Sequence, residues 1–198
     1  MCSRRAFVIL LCVAAAAGLS ADAQTTKRDA DLLKTKVAAI KQVAARPPGR
    51  AVRTMITEEE LNSFLAYDAG SSLPPGVTSP TVAILGTGRV SASAVVDLDE
   101  VRAGRESHGM FDPMSYLSGE VPITAAGTIA TSRGVGHFTL ESAAVAGVPV
   151  PKTVLQQIVS YYSRTPDNPA GFTLDDPFEL PVRIQEIQVL RGQAIIVQ

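Results

Sequence analysis

Residues 77–98 read VTSPTVAILGTGRVSASAVVDL, and their period of two decides the fold class. Val82 and Ile84 alternate with Ala83 and Leu85; then Val90, Ala92, Ala94, Val96 and Leu98 alternate with Arg89, Ser91, Ser93 and Asp97. Such alternation puts one set of side chains on each face of a half-buried strand. Gly86-Thr87-Gly88 sits at the break and suits a tight turn, so the stretch predicts a long antiparallel hairpin.

A second hairpin follows: Ile123, Ala125, Gly127 and Ile129, a turn near Arg133-Gly134-Val135-Gly136, then Phe138, Leu140, Ser142 and Ala144. Two more strand-like runs, Val182–Leu190 and Gln193–Val197, meet at Arg191-Gly192. Between the first two hairpins, Ala103–Glu120 is polar and contains glycine, which reads as a mobile stretch or a flap.

Helical patterns flank these strands. In Lys27–Ala45, Leu33, Val37, Ile40 and Ala44 recur at spacings of four, three and four, with Lys34, Lys36 and Lys41 off that stripe. Arg46-Pro47-Pro48-Gly49 ends it, because proline cannot extend the hydrogen-bond ladder. The segment predicts a helix docked on the rest of the chain.

Next, Thr57 and Glu60 form a capping box, with Ile56 and Leu61 as the matching hydrophobic staple. Glu58, Glu59 and Glu60 oppose the positive end of the helix dipole. A short helix from Glu58 to Tyr67 results, with Leu61, Phe64 and Leu65 on one face and a loop over Gly70–Gly76. Pro149-Val150-Pro151 opens a third helix, whose broad apolar face carries Val154, Leu155, Ile158, Val159 and Tyr162. Antiparallel hairpins with segregated helices predict α+β.

The first residues have the three parts of a secretory signal: Arg4-Arg5, an apolar run over Phe7–Gly18, and Ala21-Asp22-Ala23. Cleavage is expected between Ala23 and Gln24, giving residues 1–23 as signal peptide, 24–50 as helix and Pro-rich linker, and 51–198 as a single domain. The run is shorter than a membrane span. Ser3-Arg4-Arg5-Ala6-Phe7-Val8 fits a twin-arginine signal and an ordinary one equally. Leu11 before Cys12 is not a lipobox residue, so a lipid anchor is not expected.

Cleavage removes Cys2 and Cys12, and with them any internal disulfide, thiolate metal site or cysteine nucleophile. Removing 23 of 198 residues leaves 175, enough for one domain with a core. Loss of Arg4, Arg5 and Asp22 changes 18 basic and 19 acidic residues to 16 and 18. A balance near −2 gives no electrostatic footprint for nucleic acid or an anionic membrane surface. The product is expected to be periplasmic or secreted and not membrane-spanning.

No catalytic constellation emerges. Glu106-Ser107-His108 has triad residue types, with Asp99 or Asp112 able to fold in, but neighbouring residues cannot face one another as nucleophile and base. A solvated loop histidine is the plainer reading, and His137 reads as a strand-end polar residue. Asp97, Asp99 and Glu100 lack calcium-loop spacing and read as a charged strand terminus. Gly86-Thr87-Gly88 is not a phosphate loop, and HExxH, GxSxG and CxxC are all missing. The expectation is a protein that is not an enzyme and uses no cofactor or metal.

Ile56–Leu65, ITEEELNSFL, resembles the opening helix of small bacterial exported proteins in the tubular lipid-binding superfamily, which includes relatives of bactericidal/permeability-increasing protein. Val148-Pro149-Val150-Pro151 before an apolar helix, and Phe178-Glu179-Leu180-Pro181 before Ile184–Val189 and a closing glycine hairpin, follow in the family's order. The resemblance covers residues 51–198. It implies a curved antiparallel sheet of hairpins wrapped around one or two helices, enclosing a groove for a lipid or other apolar ligand. Leu61, Phe64, Leu65, Val154, Leu155, Ile158, Val159 and Tyr162 would then line that groove.

Alanine and glycine on the strand faces (Ala92, Ala94, Ala125, Gly127, Ala144) either leave room for a ligand or let a helix pack closely. The alternative is an envelope interaction or scaffold module of the same fold, which binds a protein partner and no ligand. The chain has one unit where larger superfamily members have two, which favours holding one lipid over transfer through a tandem tube.

Overall fold

The computed structural model describes residues 25–47, 49–70, 73–103, 118–162, 168–171 and 173–198. The expected signal segment and cleavage site, both cysteines, His108 and most of the predicted flap lie outside them. The chain is α+β with antiparallel sheets.

Helix α1, Lys27–Ala45, is capped by Thr26, whose hydroxyl accepts from the Asp29 amide at 3.1 Å. Its buried face runs Ala30–Leu33–Ile40; Val37 from the expected stripe is 37% exposed and Ala44 half-buried. Strand β1, Arg53–Thr57, was not anticipated; it pairs with the last strand of the chain. Helix α2, Glu58–Tyr67, has the predicted bounds and a capping box made both ways.

Strands β2 (Val77–Gly86) and β3 (Arg89–Asp97) form the first hairpin. Its turn residues Thr87 and Gly88 both have positive φ, as a tight two-residue turn requires. Leu98, read as the end of the strand pattern, instead begins helix α3, Leu98–Ala103. One Asp97 carboxylate oxygen accepts from the amides of Asp99 and Glu100, so the strand-end aspartate starts a helix.

Strands β4 (Glu120–Ser132) and β5 (Val135–Val145) make the second hairpin through Arg133-Gly134. The short strand β6, Val148–Pro149, follows, and helix α4 spans Lys152–Tyr162. Strand β7 is Phe178–Glu179, β8 is Glu186–Leu190 and β9 is Gln193–Val197. The expected run from Val182 is shorter than predicted because Val182 and Arg183 form a turn with φ of 47° and 57°. The Ile184 amide closes that turn on the Pro181 carbonyl at 3.1 Å.

The larger sheet has the order β2-β3-β4-β5-β6, with β7 also on β5; the smaller is β1-β9-β8. The two are stitched at the hairpin turns. Gly192 donates to the Ile84 carbonyl at 2.8 Å, Gly134 to that of Gln185 at 2.9 Å and Gly88 to that of Val189 at 3.3 Å. The Thr131 hydroxyl accepts from the Ile187 amide at 2.7 Å and donates to its carbonyl at 3.1 Å. Ile40 of α1 joins Leu180, Ile184 and Ile196 in a buried cluster, with Ile56 and Ile187 against it. Helix α1 therefore closes the core of the smaller sheet. Among the described residues, no helix is long and apolar enough to cross a membrane.

Candidate functional site

Helix α2 buries the opposite of what its sequence pattern suggests. Glu60, Asn62 and Ser63 are buried, while Leu61, Phe64 and Leu65 are half-buried. The cause is what surrounds it: α1 on one side and the backbone edge of β2 on another. Asn62 donates to the Val82 carbonyl and accepts from the Val82 amide, both at 2.8 Å. Its carboxamide thus takes the place of a neighbouring strand. A Glu58 oxygen accepts from the Ile84 amide at 2.5 Å. Toward α1, Glu60 receives Lys36 on both oxygens at 2.6 and 2.7 Å, and Ser63 accepts from the Thr26 amide at 3.1 Å.

One turn later, Asp68 accepts from Lys27 and Lys34 at 2.7 and 3.2 Å. The hydrogen bond from Lys27, with that from Lys34 behind it, holds the Asp68 carboxyl below the usual carboxylate range. Asp31 is likewise lowered, mainly by its hydrogen bond from Lys34.

The predicted lining residues fall into two groups on different neighbours. Leu61, Phe64 and Leu65 ride on α2, which packs on α1, β1 and β2, whereas α4 packs on β5. Phe64 borders an open groove of about 330 Å³ shared with Leu33, Val37 and Ala38 of α1 and rimmed by Lys34 and Lys41. On α4, Val154 is 44% exposed, and Leu155 and Val159 are half-buried. The side chains of Ile158 and Tyr162 lie outside the described residues.

The larger sheet has two chemically distinct faces. Its register aligns Val82, Ala92, Ala125 and Ala143 in one cross-strand row, and Ile84, Val90, Gly127 and Leu140 in the next. Ala94, Ile123 and Val145 continue the same apolar face. Only Ile84, Gly127 and Ala143 among these are buried; Ala92 is exposed and the others are half-buried. A side-chain carbon added at Gly127 would run into the Phe138 ring, so that ring occupies the room left by the glycine. Ala92 is the most open position of this floor, and the Ala94–Ile123–Val145 row contains no buried residue.

The other face is polar. Thr81 and Ser93 share a hydroxyl–hydroxyl hydrogen bond of 2.6 Å. Glu141 accepts from Thr128 at 2.6 Å and from Arg89 at 3.1 Å, and the Thr128 bond is the main cause of its lowered pKa.

A second depression, of about 280 Å³, lies at the C-terminal end of α1, bordered by Val43, Arg50, Arg183, Gln185 and Gln198. Arg183 donates to the Ala44 and Arg46 carbonyls at 3.2 and 2.7 Å, the end of the helix where a cation is favoured. Sequence reading missed this clasp and the edge-covering role of Glu58 and Asn62. The one available signal was Asn62 itself, since asparagine is a poor residue for a helix interior.

No protein-family model matches this chain, and no curated protein matches it.

Proposed function

We propose that this protein is an exported, non-enzymatic carrier that holds one lipid or other apolar molecule between α4 and the apolar face of the larger sheet, with that sheet curved around the helix. The observation that carries this reading is the alanine row Val82–Ala92–Ala125–Ala143, an apolar floor that the described residues leave partly uncovered. Apolar surface in water is unfavourable, and an acyl chain laid on it gains about 0.8 kcal/mol per buried methylene.

Curvature is supported by breaks in register. Glu141 is an extra residue where Ala126 faces Ser142 but Gly127 faces Leu140, and β2 shifts register between Thr78 and Thr81 and between Ile84 and Gly86. Such bulges bend a strand and increase its twist. Helix α4 contributes a partly exposed apolar side chain, Val154.

The test is displacement of a fluorescent fatty acid from the purified chain, with Ala125→Phe as the blocking variant. A phenyl ring on the floor is expected to weaken uptake at least tenfold while the far-ultraviolet circular dichroism is kept. Equal uptake by both proteins, or none by either, overturns the reading.

A further inference from the structure

Most outward backbone groups on β2 and β8 are taken by other parts of the chain, and β5 leaves an unguarded gap. On β2 the outward groups of Val82 are taken by Asn62, and those of Ile84 by Glu58 and Gly192; Pro80 has no amide to offer. On β8 the outward groups of Ile187 are taken by Thr131, and the Val189 carbonyl by Gly88. On β1 the Thr57 amide is used by its own capping box. Met55 has no bond on its outer side among the described residues, and Arg53 beside it puts a charge on that edge, a known guard against strand pairing.

The outer edge of β5 differs. Strand β6 covers Ala144 and Val145, and β7 covers Val135 and Gly136; both run antiparallel to β5. The Val150 amide adds a bond to the Ala143 carbonyl at 2.9 Å, and the Leu180 amide one to that of Gly134 at 2.8 Å. Between these points the chain leaves the edge to build α4 and returns at Phe178.

The register fixes which groups the gap exposes. Ile129 donates to Gly88 at 2.8 Å, toward β3, so Thr128 and Ala130 are the β4 residues that bond β5, through Thr139 and His137. Phe138 and Leu140 therefore direct both their amides and their carbonyls away from β4. Neither residue has a backbone bond on that side among the described residues. The stretch His137-Phe138-Thr139-Leu140 has high strand propensity and neither lysine, arginine, carboxylate nor proline to guard it.

We infer that this gap is a strand-addition site for a short extended segment of another protein, running antiparallel to β5 in line with β6 and β7. A three-residue tip suffices. Its first and third residues would face Leu140 and Phe138 and exchange four backbone hydrogen bonds with them. Directly opposed residues share a face, so those two positions would carry apolar side chains beside Phe138 and Leu140, with any residue between them. Strands β6 and β7 flank the gap on the same edge, which keeps out a long strand such as β5 of a second copy. The inference does not depend on the apolar-ligand reading.

The test titrates the isotope-labelled full chain with the blocked peptide acetyl-Val-Thr-Val-amide, which fits between the positions already taken by β6 and β7, followed by amide nuclear magnetic resonance and hydrogen exchange. The expected result is a saturable shift of the Phe138 and Leu140 amides and at least tenfold slower exchange of both. The same peptide N-methylated at both valines is expected to do neither. Absence of these shifts at millimolar peptide, shifts centred on Arg53 and Met55 instead, or equal shifts with the N-methylated peptide each overturn it. Slowed exchange at Phe138 and Leu140 that depends only on protein concentration also overturns it, by assigning the gap to a second copy.

Discussion

A single side chain, Asn62, connects the best-specified local motif to the larger sheet. Because its carboxamide satisfies both backbone groups of Val82, Asn62→Ala leaves a donor and an acceptor stranded beneath α2. The expected cost is about 2–4 kcal/mol, read as a lower urea midpoint. Asp68 makes a pH-dependent contribution. Its carboxyl is held below the ordinary value of about 3.9 by Lys27 and Lys34, so its stabilisation is present above that value and is lost as pH falls through the lowered one. Asp68→Asn is expected to lower stability at pH 7 and to flatten the acid limb of the urea midpoint plotted against pH. Capping by Thr57 and Glu60 was legible because it is local to four residues. The burial of Glu60, Asn62 and Ser63 was not, because it is set by α1 and by the edge of a strand about 20 residues away.

Elements whose identity rests on a repeated period were readable, and those that rest on a distant partner were not. Helices α1 and α2 have the bounds that their patterns predict, and both long hairpins form where the alternation places them. Strand β4 begins at Glu120 and ends at Ser132, and β5 begins at Val135, each three residues beyond that alternation. Strand β1 carries no clear alternation and exists because Arg53–Thr57 meets Val197–Gln193 at the far end of the chain. Strands β6 and β7 have two residues each, too short for any period to show. The turn at Val182-Arg183 defied its own propensities, since a β-branched residue at positive φ is strained. Its compensation is the grip on α1: Arg183 holds two carbonyls at the helix end, and Gln198 donates to the Val182 carbonyl at 2.8 Å. Val182→Asn keeps that backbone bond and tolerates the left-handed region. It is expected to raise stability by about 1 kcal/mol in urea unfolding.

On the scale of the whole molecule, the two sheets serve different ends. The smaller sheet, with α1 and the cluster around Ile40, Leu180, Ile184 and Ile196, is the closed part of the structure. The larger sheet carries an apolar face that the described residues cover only in part, beside a helix with Val154 exposed. The lining expected from sequence joined residues of α2 and α4. The geometry attaches them to different neighbours, and the sheet itself supplies the continuous apolar surface. That the strand faces were rich in alanine was legible; which alanines share a face and stay uncovered depends on the register of the strands. The claim that the face holds an apolar molecule is tested most directly by native mass spectrometry of the protein recovered from the cells that naturally make it. The account predicts a discrete mass above that of the bare protein, released by organic extraction as one lipid-sized apolar species and diminished in Ala125→Phe. A bare polypeptide mass in every preparation, with nothing apolar in the extract, would contradict it.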